Sequence, residues 1–152
     1  MNSKRGFEVL SSYKDKGINI PERKTACSAG YDIEAAEDTI VPVFKPGQKP
    51  VLIKTGLKSY FQENEVLMLV NRSSNPLKKG LVLANSIGIV DADYYNNPDN
   101  EGHIMFAYYN FSNEDVIIKK GDRIGQALFT SYLITDNDNA TGDRTGGFGS
   151  TL

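Results

Sequence analysis

"HIMFAYYNFSNEDVIIKKGDRIGQALFTSYLI", residues 103–134, contains three apolar runs and two polar breaks. "HIMFAYYN" (103–110) stops at "FSNED", "DVIIKK" (115–120) stops at Gly121-Asp122, and "RIGQALFTSYLI" (123–134) stops at "TDNDN". Short runs rich in Ile, Phe and Tyr, parted by turn formers, are the pattern of strands in a sandwich or barrel. The same rhythm continues toward the N-terminus. "TIVPVF" (39–44) is closed by Pro46-Gly47, "PVLIKTGL" (50–57) follows, "EVLMLVN" (65–71) precedes a polar break, and "LVLANSIGIV" (81–90) starts after Lys78-Lys79-Gly80. No segment holds a 3.6-residue apolar period over three turns. Only "SNPLKKG" (74–80) predicts a short helix, with Ser74 or Asn75 as its cap. The reading is an all-β chain with one short helix.

Past Thr135 the composition changes. "TDNDNATGDRTGGFGSTL" has Ala140, Phe148 and Leu152 as its only apolar side chains, too little to offset the entropy of ordering it. The sequence therefore divides into a β domain, 1–134, and a flexible C-terminal tail, 135–152. The tail ends in a glycine-rich stretch with one arginine, Arg144, and one aromatic ring, Phe148. Glycine is costly to order, so such an ending invites a role in closing over something.

Composition narrows the classes. The 152 residues carry a net charge of −2, with 39% hydrophobic and 24% charged residues, ordinary for a globular chain. That balance does not point to a nucleic-acid polymer or an anionic membrane as partner. Cys27 is the sole cysteine and His103 the sole histidine, so an internal disulfide is impossible and a zinc or Cys–His site is poorly supplied. The N-terminus lacks an apolar leader and no apolar run reaches 18 residues, which predicts a cytoplasmic protein.

The polar islands carry the chemistry. "SAGYD" (28–32) reads as a turn with an Asx-type bond at Asp32. "NRSSN" (71–75) sets Arg72 beside Ser73 and Ser74, a cap with a surface arginine or, more sharply, a phosphate fork. "ANSIGIVDADYY" (84–95) reads as a β-hairpin with a polar end, or as a base-reading hairpin with a carboxylate beside it. "GDRIGQ" (121–126) feeds Gln126 into a strand.

Taken together, "SAGYD", "NRSS", "GIVDADYY", "GDRIGQ" and "RTGGFGST" follow in that order over residues 28–151. In this ordered set the chain resembles the homotrimeric deoxyuridine triphosphatases, the dUTPases, and five ordered motifs are far more specific than one glycine pattern. The resemblance implies a jelly-roll-like, distorted β-barrel subunit, a homotrimer with active sites at subunit boundaries, and Mg²⁺-dependent hydrolysis of dUTP to dUMP and pyrophosphate. Position by position, Asp91 matches the carboxylate that orients the attacking water, and Tyr94 the ring that leaves no room for a 2′-hydroxyl. Asn85 and the backbone of Gly88, Ile89 and Val90 match the hairpin that reads uracil. Arg72, Ser73 and Ser74 match the second motif's phosphate contacts, and Gln126 the fourth motif's amide. Asp32 matches the carboxylate that holds the Mg²⁺ water shell. Arg144, Gly146, Gly147, Phe148, Gly149 and Ser150 match the tail that closes over nucleotide.

The chain departs from the family pattern in three places. "YNNPDNEGHI" interposes an insertion after the third motif, Asn71 stands where proline is common, and Arg144 lies four residues before Phe148, one fewer than usual. Three rival readings follow, of which a structural jelly roll without activity would leave the co-occurrence of Asp91, Tyr94, Arg72, Gln126 and Phe148 unexplained. A dCTP deaminase of the same fold would need a catalytic glutamate where this chain has Ala107. A nucleotide-dependent regulatory protein would use the 95–102 loop as a partner surface.

Overall fold

The computed structural model describes residues 2–148. Its strands are β1 (Gly6–Val9), β2 (Tyr31–Glu34), β3 (Thr39–Val41), β4 (Val51–Lys54), β5 (Leu57–Tyr60), β6 (Glu65–Val70), β7 (Leu81–Leu83), β8 (Gly88–Val90), β9 (Met105–Asn110), β10 (Val116–Ile118) and β11 (Arg123–Ser131). All pair antiparallel. Two sheets matter most: a four-stranded one in the order β2-β11-β6-β8 and a three-stranded one in the order β4-β9-β7. Two two-stranded ribbons, β1-β5 and β10-β3, flank them. The architecture is jelly-roll-like, and among the described residues the sheets do not close into a barrel.

Alternation along the strands builds the core. β6 and β9 bury every second residue, so Leu67, Leu69, Phe106 and Tyr108 enter one hydrophobic cluster with Ile33, Ile53, Ile118 and Ile124. Fully burying such a side chain is worth about 1.5–3 kcal/mol.

Several expectations are corrected. "PVLIKTGL" is two strands, β4 and β5, broken at Thr55-Gly56, where Gly56 adopts φ +70°. "TIVPVF" yields only Thr39–Val41, because Pro42 cannot donate to a ladder. "LVLANSIGIV" is not a paired hairpin: β7 joins β9 while β8 joins β6, and the intervening turn carries the chain from one sheet to the other. Ser86 at φ 64° makes that turn. The helix shrinks to one turn, Asn75–Lys79, and neither Ser74 nor Asn75 caps it through a side chain. β1 and β2 lie in a stretch with weaker apolar runs: β2 pairs with the edge of the longer β11, and β1 pairs with β5, a strand of its own length.

Candidate active site

The motif residues gather at two places, set by the register of the four-stranded sheet. At one end, Gln126 on β11 stands opposite Asp32 on β2 and Val70 on β6. Arg72 follows immediately after β6, donating to the Arg123 carbonyl at 3.1 Å. Gln126 donates to the Asn71 carbonyl at 3.2 Å. Its side chain lies close over Gly30, where a Cβ would stand 2.2 Å from the amide oxygen, so a larger residue there would displace the Gln126 amide.

A buried polar network fixes this end. Asn71 Oδ1 accepts from the Arg72 backbone (2.9 Å), Asn75 Nδ2 (2.8 Å) and the Tyr108 hydroxyl (3.0 Å). Asn75 Nδ2 also donates to the Ile124 carbonyl at 2.9 Å, and the one proton of the Tyr108 hydroxyl lies between that carbonyl and Asn71 Oδ1. Burial pushes the Tyr108 hydroxyl pKa well above its ordinary value, so it stays a donor. The residue that replaces the usual proline thus ties β6, β9 and β11 together behind Arg72 and Gln126. Asp32, on β2, meets Arg123 at a loose 3.7 Å. Ser73 is exposed and Ser74 half-buried just before the helical turn.

The other set lies elsewhere. Val90 stands opposite Leu67, three residues or roughly 10 Å of strand before β6 ends at Val70, and Arg72 lies two residues past that end, so Asp91 leaves the sheet away from Arg72. Asn85, Gly88, Ile89, Val90, Asp91 and Tyr94 line a cavity of about 300 Å³, with Arg144 and Phe148 at its margin. β8 is the edge strand of its sheet, so one row of its backbone donors and acceptors is left free. Gly88 packs tightly on Leu69, where a Cβ would approach to 3.0 Å. Tyr94 is buried, its hydroxyl donating to the His103 carbonyl at 2.8 Å, and burial raises its pKa.

The tail returns to this cavity on its own chain. Arg144 Nη2 meets Asp91 at 2.5 Å and Arg144 Nε meets Asp93 at 2.7 Å, while the guanidinium lies 5.9 Å from the Tyr94 ring centroid. The bond to Asp93 and the nearby carboxylates raise the Arg144 pKa. Gly147 passes the Tyr94 ring so closely that a Cβ would stand 2.8 Å from it, and Phe148 is exposed at the rim. Gly149 and Ser150 lie outside the described residues.

The structure thus joins Asn85, Gly88–Val90, Asp91, Tyr94, Arg144, Gly147 and Phe148, and separates them from Asp32, Arg72, Ser73, Ser74 and Gln126. Sequence reasoning missed three neighbours. Asp93 grips Arg144, His103 lines the cavity, and Asn100 bonds the Tyr94 hydroxyl. Asp93 sat inside a motif that assigned it no role, and Asn100 sits in an insertion without one. His103 Nε2 accepts from the Gly56 backbone at 2.9 Å, and burial holds its pKa down at about 4. Among the described residues no three His, Cys, Asp or Glu side chains gather to cage a metal, and no helix is long and apolar enough to cross a membrane.

Comparison with known proteins gives a consistent family. Residues 16–152 match the dUTPase family model. The chain is 57% identical over 149 residues to the deoxyuridine 5′-triphosphate nucleotidohydrolase of Lactococcus lactis, covering 97% of each. It is 37% identical to that of Desulfitobacterium hafniense, covering 91% of this chain and 90% of the relative. The crystal structure of dUTPase from Streptococcus mutans superposes with TM-score 0.80 at 46% identity, covering 87% of this chain and 99% of that one. With motifs, fold and relatives in agreement, the chain belongs to the dUTPase family.

Proposed function

We propose that the chain hydrolyses dUTP to dUMP and pyrophosphate at a site assembled from two separated half-sites. The observation that carries this is the register. The nucleoside-sized cavity runs from Gly88, paired with Leu69, to Asp91, and none of Arg72, Ser73, Ser74 and Gln126 lines it, so one chain offers a base-and-sugar half and a phosphate half without joining them. A homotrimer in which one copy's phosphate half meets another's cavity completes the site. Exposed Leu52, Ile89 and Leu133 offer apolar surface for such packing.

In the base-and-sugar half, the free edge of β8 and Asn85 read uracil through fixed donors and acceptors. Rejecting cytosine follows from donors and acceptors left unpaired. Excluding the thymine methyl needs a close wall, because one methyl is worth only ~1–3 kcal/mol in a pocket. Tyr94 fills the space a 2′-hydroxyl would take. Asp91 accepts a proton from water as the water oxygen bonds to the α-phosphorus and the bond to the bridging oxygen breaks, releasing pyrophosphate. In the phosphate half, Arg72, Ser73, Ser74 and Gln126 bind the phosphate oxygens. The tail from 135 onward acts as a lid, with Arg144, Gly146, Gly147, Phe148, Gly149 and Ser150 closing on nucleotide. Arg144 then exchanges Asp91 for phosphate, which frees the carboxylate, and Phe148 stacks on the base.

Mg²⁺ fits the oxygen-only donor set. Asp32, with 22% of its side chain exposed and with Glu22 and Glu34 lining the same cavity, suits outer-sphere binding to an ion that keeps its waters and takes phosphate oxygens. When bound, it would neutralise charge building on the triphosphate. A cytoplasmic location accords with the absence of any cysteine pair.

The test is pyrophosphate release from dUTP, dTTP, dCTP and UTP, with and without Mg²⁺. We expect dUTP to lead the others by at least about a hundredfold in kcat/KM and to require the ion. Ammonia from dCTP would move the assignment to deamination, against which Ala107 stands where the deaminase needs a glutamate.

A further inference from the structure

The insertion after Tyr95 is a built piece of the molecule. Three residues in it or at its margin, Asn96, Glu101 and Gly102, adopt positive φ of 57°, 62° and 84°. A Cβ at Gly102 would stand 2.5 Å from the Tyr94 carbonyl, so glycine is required there. Backbone bonds run from Asn97 to Tyr94 (3.1 Å), from Glu101 to Asn97 (2.7 Å) and from His103 to Asn100 (3.1 Å). The loop is then bolted to the rest of the domain. Lys58 Nζ donates to Glu101 (2.7 Å) and to Asn96 (2.6 Å), and Ser11 donates to Glu101. Lys58 and Ser11 hold the Glu101 carboxyl below its usual pKa. Tyr95 bonds Glu8 on β1.

Such bracing is more than a surface bulge needs, and it converges on one group. Asn100 Oδ1 accepts from the Gly102 backbone at 3.0 Å, which orients its amide. Asn100 Nδ2 donates to the Tyr94 hydroxyl at 2.8 Å. That hydroxyl gives its own proton to the His103 carbonyl, so the ring tip is held from two sides. We infer that Asn100, presented by the braced loop, is a positioning residue that fixes the Tyr94 ring and so sets the enzyme's preference for deoxyribose over ribose nucleotides. The inference rests on the proposed role of Tyr94 as the wall against a 2′-hydroxyl.

The test compares kcat/KM for dUTP and UTP on the same preparation, because that ratio cancels any loss of folded protein. The proteins are wild type, Tyr94→Ala, Tyr94→Phe, Asn100→Ala, Asn100→Asp, and Tyr94→Phe combined with Asn100→Ala. Asn100→Asp keeps the acceptor for Gly102 while removing the donor, so it serves if Asn100→Ala does not fold. We expect the UTP-to-dUTP ratio to rise about three- to tenfold in either Asn100 variant, the scale of one lost hydrogen bond. In the Tyr94→Phe background, Asn100→Ala should add nothing, since the shared contact is already gone. An unchanged ratio in the Asn100 variants, with Tyr94→Ala relaxed, overturns the positioning role alone. So does an equal effect in the Tyr94→Phe background. A wild type that does not prefer dUTP, or a Tyr94→Ala protein with unaltered preference, overturns the underlying reading and the inference with it.

Discussion

Asp91 is the proposed proton acceptor, and its surroundings define what a substitution does. Asp91→Asn keeps the shape but loses the proton acceptor, so kcat should fall by roughly 10²–10⁴ with nucleotide binding within about tenfold of wild type, as read by steady-state kinetics and calorimetry. A variant that keeps most of its turnover would assign the base elsewhere. Asp93 looks idle in the sequence, yet it holds Arg144 at 2.7 Å. Asp93→Asn should therefore spare kcat and raise KM several-fold, and equal losses in both would place Asp93 in the chemistry itself. His103 has a pKa of about 4 when folded against 6.5 for the free side chain. Between those values the unfolded chain takes up the proton first, so stability falls as pH drops from 6.5 toward 4, by up to about 3 kcal/mol. His103→Gln offers an acceptor to Gly56 without a titrating ring. Its unfolding midpoint should vary less across that window, and identical pH profiles for the two proteins would exclude His103 as the cause.

At the scale of elements, β11 does the most, joining β2 and β6 and carrying Gln126. A register shift between Arg123 and Gly125 turns Gln126 toward Gly30. Gly125 lies against the core, where a Cβ would stand 2.3 Å from the Phe106 ring. Gly125→Ala should cost about 1–3 kcal/mol, seen as a melting temperature several degrees lower, since Phe106 is buried and has nowhere to go. An unaltered melting temperature would mean the strand absorbs the methyl freely. The long strands β6, β9 and β11 were legible because their alternation is set by local pattern. The split of "LVLANSIGIV" between two sheets was not, because nothing in that run records which partner each half takes. The same holds for the site. Asp91, Tyr94 and Gln126 match motif positions with a role, whereas Asn71, where the chain departs from its motif, and Asn100 matter through Tyr108 and Tyr94, partners distant in sequence or reached only by an inserted loop.

For the whole molecule, mixing can decide whether in a trimer the tail closes over the Asp91 of another chain, as the family resemblance implies, although within one chain Arg144 reaches its own Asp91. One variant truncated after Gly142 lacks the lid, and another carrying Asp91→Asn lacks the base, so each alone should be nearly inactive. Unfolded and refolded together, the two chains should form mixed trimers in which, under the proposed sharing, a site takes Asp91 from one chain and its tail from another. Activity should then reappear. Mixed trimers confirmed by mass but as inert as their parents would instead favour the arrangement in which Arg144 serves the Asp91 of its own chain. The placement of Arg72 and Asp91 in separate halves also has a consequence for inheritance. Two defective alleles hit in different halves should restore partial growth when expressed in one cell, while two hit in the same half should not. A single allele hit in either half should be recessive, because each damaged chain disables only the one site that its damaged half serves.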